Sequence, residues 1–564
     1  MAKKPKQIIK ARPQKLSVIK SDRPRIDERF VCKALNLPPP PLDKNERYSA
    51  ITLAEFAVKG CIAFTLFDDE NFMLATPIYS DEQLTKLADT AMKKGAKLIF
   101  TIKQIKDYPC VLTDPEDLLN VYVQLMSAYR KRFDIATIGV TGSRGKTSTT
   151  EFIFTTLNEY WAGIYSGSNA NAWNWVGRYF NGVQNSHKFY VQETQEGPTP
   201  GAASMVSRLT NPNFGVITNI GTSHFEKLGS VEGVMQSCLG IQDGMPDDGL
   251  LILNGDDELL ANAETRLPRV YFGIDNKNAD YSAENVRISS KGISFDVVHE
   301  NKTAPLHINC LGEHNIYNAL ASFVVGKHMG LTDEQLAKSI SKYRTRGFRQ
   351  NLIEIRGRTV YMDCFNAAPE SMIDALKTIL SMPRKTPEGK YIAVLGELAE
   401  MGALSTQGHI EVGEFVRDSK LDMLICYGGK ARDLYDAAIQ NESIEAIFAE
   451  NEEELAKLIK TKTTMDDIVL VKGSRGVKLE QAVDKAFGTT FVRESRVKWE
   501  RITRVSKEER EAVKADTDKK LEILTDLQED AKKAMEVIAK LERVNELLSM
   551  LRSSEGEGPS NTDG

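Results

Sequence analysis

The chain reads as an α/β protein of several domains, and three observations carry that expectation. Its 564 residues exceed what one ordinary core organises, and domain sizes suggest about three to five units. Short β-branched runs alternate with segments of helical period across residues 29–133, the pattern of strands and covering helices. Asp134–Thr150, DIATIGVTGSRGKTSTT, passes from an apolar strand through a glycine-punctuated turn into a helix-competent segment, the order of a phosphate-binding loop.

The rest of the chain is organised around this third stretch. Ile135, Ile138 and Val140 have the character of a buried strand. Gly142 and Gly145 allow the positive φ and close backbone approach that phosphate oxygens need. A helix beginning near Lys146 aims free N–H groups and its positive dipole end at the same anion. Lys146 supplies a mobile charge for β- and γ-phosphates, and the Thr147 hydroxyl is placed to hold Mg²⁺. The glycines fall at 139, 142 and 145, and Val140 stands where the general G-x-x-x-x-G-K-[ST] pattern has glycine.

Composition narrows the class. Hydrophobic residues at 41% and charged residues at 27% describe a globular protein, and no apolar run approaches the roughly 20 residues of a membrane span. The basic start MAKKPKQIIKARPQK lacks the apolar core of a secretory signal. Seven dispersed cysteines with no C-x-x-C pair suggest reduced thiols and a cytoplasmic location. A net charge of −5 with interspersed signs gives no reason to expect a nucleic-acid partner.

Taken in order, residues 1–25 read as a disordered basic arm, and 26–133 as a small α/β domain. Within it CIAFTLF (61–67) and KLIFTI (97–102) predict strands, and residues 80–96 predict an amphipathic helix capped by Ser80 with Gly95 near its end. Residues 114–133 predict the helix leading into the phosphate-loop strand. SGSNANAWNW (166–175) and VQETQEGPTPG (191–201) read as loops. FGVITNI (214–220) and LLILNGDDE (250–258) read as strands running into polar loops, where α/β sheets collect functional groups. Glu193 and His224 offer a hard oxygen and an imidazole to complete an Mg²⁺ shell begun by Thr147.

TGSRGKTSTT, Glu193, ITNIGTSHFE, NGDDE and LGEHNIYNALAS (311–322) occur in the order seen in the Mur ligase family of ATP-dependent amide-forming enzymes. YMDCFNAAPESM (361–372), VLGELAEMG (394–402), HIEVG (409–413) and VLVKGSRGVKLEQAV (469–483) resemble its branch that adds D-alanyl-D-alanine to a UDP-N-acetylmuramoyl-tripeptide. The resemblance spans roughly residues 45–490. It implies a substrate-binding domain (26–133), a central ATPase (134–345) and a Rossmann-like ligase domain (346–495). It also implies γ-phosphoryl transfer from ATP to a carboxylate, followed by amine attack on the acyl phosphate. By position, Thr141, Gly142, Ser143, Arg144, Gly145, Lys146, Thr147 and Ser148 cradle the ATP phosphates; Thr147, Glu193 and His224 match the magnesium site; Asn315 and Asn318 match asparagines near the adenine. Arg349 and Asp363 match residues that the last domain brings onto the nucleotide, while Asn366, Lys472, Ser474 and Arg475 lie where the amino component binds. Lys146, Glu193 and His224 are the catalytic candidates. The substrates are small molecules: a nucleotide-sugar peptide or other acid, and an amino acid or dipeptide.

Three features depart from the family pattern. Cys238, in the helix predicted over 229–245, stands where relatives carry a carbamylated lysine that bridges two Mg²⁺ ions. Leu53, Ala54 and Glu55 replace an Asp-Ser-Arg uridine signature, and 168–177 holds two tryptophans in a loop that is usually less aromatic. These departures leave open a family member acting on another acid and amine, or a nucleotide-binding scaffold. Beyond the resemblance, Leu524, Leu527, Ala531, Ala534, Ile538, Leu541, Asn545 and Leu548 recur at 3-4 spacing. That stripe, within a helical extension over 496–552, fits either a homodimeric coiled coil or a helix folded back on its own domain. Residues 553–564 read as a disordered tail.

Overall fold

The computed structural model describes residues 23–38, 46–66, 80–167, 170–221, 224–276, 278–289, 292–345, 348–399, 401, 404–440 and 444–489. Nearly all belong to the first of two compact units, Met1–Phe487. Residues 1–22 of the expected arm, the extension over 496–552 with its 3-4 stripe, and the tail over 553–564 lie outside the described residues.

Among the described residues, a two-stranded antiparallel pair, Ile26–Asp27 with Arg47–Tyr48, accompanies three larger α/β sheets that follow one another along the chain. The first has four parallel strands, Ile51–Leu53, Ile62–Phe64, Leu98–Thr101 and Cys110–Leu112, in chain order. The helix Asp81–Lys93 carries the expected start: Ser80 and Gln83 cap each other's backbone N–H groups, and Gly95 follows its end with φ +87°. The helix Leu118–Arg130 then buries Tyr122, Leu125, Met126 and Tyr129. Its last residue, Arg130, is buried and donates to the Thr137 hydroxyl, the Asn213 side-chain oxygen and the carbonyls of Thr210, Phe133 and Ile135. That knot ties the helix to the root of the phosphate-loop strand.

The central sheet has nine strands in the order Lys302–Ile308, Gly292–His299, Tyr281–Ser289, Arg269–Gly273, Leu250–Asn254, Phe214–Ile217, Ala136–Thr141, Phe189–Glu193, Gly163–Tyr165. Its body is parallel and its first three strands form antiparallel pairs. Ala136–Thr141 lies between Phe214–Ile217 and Phe189–Glu193, with Thr141 beside Ile217 and Val140 beside Glu193. This register delivers three carboxyl-terminal loops to one place, the position where open α/β sheets bind ligands.

The third sheet runs Asn351–Ile355, Arg358–Asp363, Ile468–Lys472, Tyr391–Gly396, Met423–Tyr427, Glu445–Ala449, parallel after its first antiparallel pair. Two expected loops are corrected: residues 191–193 of the 191–201 stretch belong to the strand Phe189–Glu193, which puts Glu193 at a strand end. The tryptophan-bearing stretch expected as a loop is partly the helix Trp173–Phe180, because Trp173, Val176, Gly177 and Phe180 share a face at helical spacing and are buried. Trp173 packs edge-on against Tyr122, and Asn181 bonds Ile51 through both its side-chain amide groups, so this helix joins the first sheet to the second.

Candidate functional site

The phosphate loop is held by glycines and by the neighbouring strand end. Gly142 (φ +128°) has no room for a Cβ, which would come 2.2 Å from the Thr218 Oγ1. Gly145 (φ +79°) serves as the N-cap of the helix Lys146–Asn158, leaving its first N–H groups free to face an anion. The Ser143 N–H donates to the Asn219 carbonyl, the Arg144 N–H to the Asn219 Oδ1, and the Gly221 N–H to the Ser143 Oγ. Thr218 Oγ1 donates to the Arg144 carbonyl at 2.5 Å. Thr141 and Thr147 are buried, Ser148 is half-buried in the first helical turn, and Arg144 is exposed with its guanidinium 3.8 Å from Asp374 of the third sheet's first helix.

Lys146 donates to the Gly142 and Ser143 carbonyls at 2.6 and 3.3 Å and lies 2.7 Å from the Glu196 carboxylate. Glu193 is buried; its N–H donates to Ser166 Oγ and its Oε1 accepts from Asn171. Its Oε2 is buried without a well-formed hydrogen bond. Burial pushes the Glu193 carboxyl upward, opposed by the charges of Lys146 and Arg349 and by the Thr147 and Asn171 side chains. An orphaned carboxylate oxygen beside a threonine hydroxyl fits a hard divalent cation, which prefers oxygen donors. His224 is exposed with φ +56°, and its ring lies over Gly197, where a Cβ would come 2.6 Å from the imidazole. Of the three expected magnesium residues, Thr147 and Glu193 adjoin each other, and His224 lies over Gly197, four positions on from Glu193.

Across from them, burial lowers the Arg349 guanidinium, offset by the carboxylates of Glu193 and Asp363; its guanidinium covers the Phe365 ring at 3.8 Å. The third sheet therefore brings a cation into the field of the central sheet's carboxylate. Asp363 and Lys472, expected to serve different ligands, pair with each other. They are direct neighbours in parallel register, and Lys472 Nζ lies 2.6 Å from Asp363 and 2.9 Å from the Asn366 carbonyl. Asn366 Oδ1 accepts from the Ala367 N–H, and Ser474 Oγ from the Ala399 N–H. Arg475 pairs with buried Glu480 and lies over the Phe348 ring.

Asn315 and Asn318 are buried and turned on their neighbours: Asn318 donates to Asn315 Oδ1 and accepts from Thr149, while Asn315 donates to the Leu311 carbonyl and Gln350 Oε1. They brace the phosphate-loop helix, Asn318 through the Thr149 hydroxyl. Asp256 and Asp257 are structural too. Asp256 accepts from the Ile274, Asp275 and Asn276 N–H groups and the Tyr317 hydroxyl, and Asp257 caps Glu258–Ala261 and accepts from the Ile220 N–H.

Sequence reasoning missed Gln350 and Glu196. The Gln350 N–H donates to Asp363 and its side chain accepts from Asn315, linking the two sheets. Glu196 stands in the quoted 191–201 loop, but its pairing spans 50 residues. Cys238 is buried, with its thiol pushed up to about 12 by burial and then by the Glu196 charge.

Residues 140–326 match the family model of the Mur ligase middle domain, and 348–475 that of the Mur ligase, glutamate ligase domain. The chain is 32% identical over 381 residues to the UDP-N-acetylmuramoyl-tripeptide--D-alanyl-D-alanine ligase of Bacillus subtilis, covering 67% of this chain and 81% of that protein. Its fold is similar to MurF from Acinetobacter baumannii, with TM-score 0.69 and 20% identity over 83% of this chain and all of that one. MurF ligase from Thermotoga maritima, solved with ADP, superposes with TM-score 0.64 at 21% identity over 78% of this chain and 97% of that one. With the phosphate loop, the carboxylate beside it and two family domains in register, the chain is a ligase of the Mur ligase family.

Proposed function

We propose that the chain is an ATP- and Mg²⁺-dependent ligase that joins the amine of D-alanyl-D-alanine to the terminal carboxylate of a UDP-N-acetylmuramoyl-tripeptide. The reading rests on the convergence around Glu193, buried within the fields of both Lys146 and Arg349. It is supported by the Bacillus subtilis relative, whose name gives that tripeptide and dipeptide. The three sheets support a division into residues 26–133 for the nucleotide-sugar end, 134–345 for ATP and 346–495 for the amino component, in the cytoplasmic setting expected from the sequence.

The chemistry asks chiefly for positioning and charge neutralisation. A carboxylate oxygen attacks the γ-phosphorus and ADP leaves; the amine then attacks the acyl carbon, releasing phosphate and a proton. Two anions must meet in the first step, and preorganised positive charge lowers that barrier. Lys146 and the N–H groups of Gly145 to Thr147 hold the β- and γ-phosphates, and Arg349 offsets charge from the opposite side. Thr147, Glu193 and His224 hold Mg²⁺, which supplies further neutralisation of the phosphate oxygens. Arg475, paired with Glu480 yet 46% exposed, is the accessible cation for the dipeptide carboxylate, whereas Lys472 is buried against Asp363.

Lys146→Ala tests the reading. ADP release in the presence of both substrates should fall by at least about 100-fold while the circular dichroism stays unchanged; near-normal turnover would contradict the site. A second reading, a family member joining another acid and amine, is favoured by one observation. Leu53 and Ala54, at the usual uridine signature, are fully buried and apolar, offering no side-chain donor to a base.

A further inference from the structure

The strand Ile468–Lys472 runs into a loop that carries Ser474 and Arg475, and the helix Leu479–Phe487 follows. Glu480 lies in the first turn of that helix with its side chain fully buried. One of its oxygens pairs with Arg475 Nη1, and the other is buried without a hydrogen bond. Arg475 is also held from one face, because its guanidinium lies 5.5 Å from the centre of the Phe348 ring. Phe348 is itself fixed, since its carbonyl accepts from the Cys364 N–H at 2.8 Å. The next two residues reach the phosphate side: Arg349 stands in the field of the Glu193 carboxylate, and the Gln350 side chain accepts from Asn315. Arg475 therefore rests on the segment that also supplies the cation opposite the phosphate loop.

Glutamate is seldom buried this completely, and a buried carboxylate needs compensating charge. Part comes from the positive end of its own helix, and part from Arg475. A guanidinium holds its N–H donors in a rigid planar fork. With Nη1 taken by Glu480 and one face against Phe348, the edge formed by Nε and Nη2 is left to make the two-point contact that carboxylates prefer. A long side chain held in this way loses less freedom when its ligand arrives. Resting on the assignment of Arg475 to the amino component, we propose that Glu480 is the positioning residue that holds Arg475 ready for the carboxylate of the incoming amine. The site thereby selects an amino component ending in a carboxylate over its uncharged amide. Glu480 does not touch the substrate and acts through the guanidinium alone. Lys472 cannot take over, because its side chain is 2% exposed and tied to Asp363.

The test is steady-state kinetics of the full chain with D-alanyl-D-alanine and with D-alanyl-D-alaninamide, at saturating ATP and UDP-N-acetylmuramoyl-tripeptide, scored as ligated product by mass. The wild-type chain should favour the dipeptide over the amide by at least about 10-fold in kcat/KM, as expected for a charge-assisted contact. Glu480→Gln keeps the shape and removes the charge. Its KM for the dipeptide should rise at least about 10-fold with kcat and the KM for ATP near wild type, while kcat/KM for the amide falls by less than about threefold. Glu480→Asp, which keeps the charge on a shorter arm, should fall between them and supplies the comparison if the glutamine variant is poorly folded. Equal losses with dipeptide and amide would overturn the proposal, reducing Glu480 to a structural residue. A dipeptide KM that neither variant moves would also overturn it, as would a wild-type chain that uses dipeptide and amide alike. A wild-type chain that ligates neither amine would contradict the dipeptide-adding reading itself, and the proposal with it.

Discussion

Lys472→Met separates a structural cation from one reserved for substrate. Lys472 and Asp363 side chains are 2% and 10% exposed and 2.6 Å apart, so at an effective dielectric near 20 their gross attraction is about 6 kcal/mol. Desolvation consumes several kcal/mol per ion, leaving little net gain from the intact pair. Removing only the lysine is different, because Asp363 then stays buried with its charge uncompensated, at a cost of about 3–5 kcal/mol. At roughly 2–4 °C per kcal/mol, the melting transition of the third sheet should fall by roughly 10 °C. Asp363→Asn combined with Lys472→Met should recover most of this loss, giving a coupling energy of about 2 kcal/mol or more in a double-mutant cycle. Differential scanning calorimetry on the full chain reads all four corners. A Lys472→Met chain with an unchanged transition and a raised KM for the dipeptide alone would refute the pairing and return Lys472 to the amino-component site.

Further outcomes follow from individual contacts. Gly142→Ala introduces a Cβ 2.2 Å from Thr218 Oγ1 at φ +128°; nucleotide affinity by calorimetry should drop by at least about 10-fold, since strained backbone costs about 1–3 kcal/mol. Trp173→Ala should cost about 3–5 kcal/mol in chemical denaturation, because the indole is buried where the first two sheets meet. The Cys238 thiol, pushed up to about 12, should resist iodoacetamide between pH 7 and 9 in the native chain, as mapped by peptide mass spectrometry. Since its folded value is raised, its stability contribution is full below the ordinary thiol range and is lost as pH rises towards 12. The same residue cannot form a carbamate, so turnover should be unchanged by removing or adding bicarbonate; rescue by bicarbonate would show that a lysine elsewhere carries one.

What the sequence revealed depended on how local the cause was. The phosphate loop was legible because its strand, glycines, lysine and hydroxyl are contiguous, and each has a local reason for its place. The capping of Asp81–Lys93 was legible for the same reason. Trp173–Phe180 was missed although its buried residues keep helical spacing: asparagine and tryptophan are weak helix formers, and packing against Tyr122 overrides that preference. The pairing of Lys472 with Asp363 joins residues 109 positions apart and exists only because two parallel strands align them. Glu196 likewise acquires its meaning from Lys146, which the fold and not the sequence places beside it. The carboxylates Asp256 and Asp257 show the converse, since residues at a strand end can be wholly absorbed by backbone N–H groups.

Acyl-phosphate formation and its breakdown carry one oxygen from the substrate carboxylate into phosphate. The purified chain, ATP, Mg²⁺, D-alanyl-D-alanine and a UDP-N-acetylmuramoyl-tripeptide labelled with ¹⁸O in its terminal carboxylate should yield the pentapeptide amide, with one label carried into inorganic phosphate. Release of ADP and unlabelled phosphate with the tripeptide intact would contradict it.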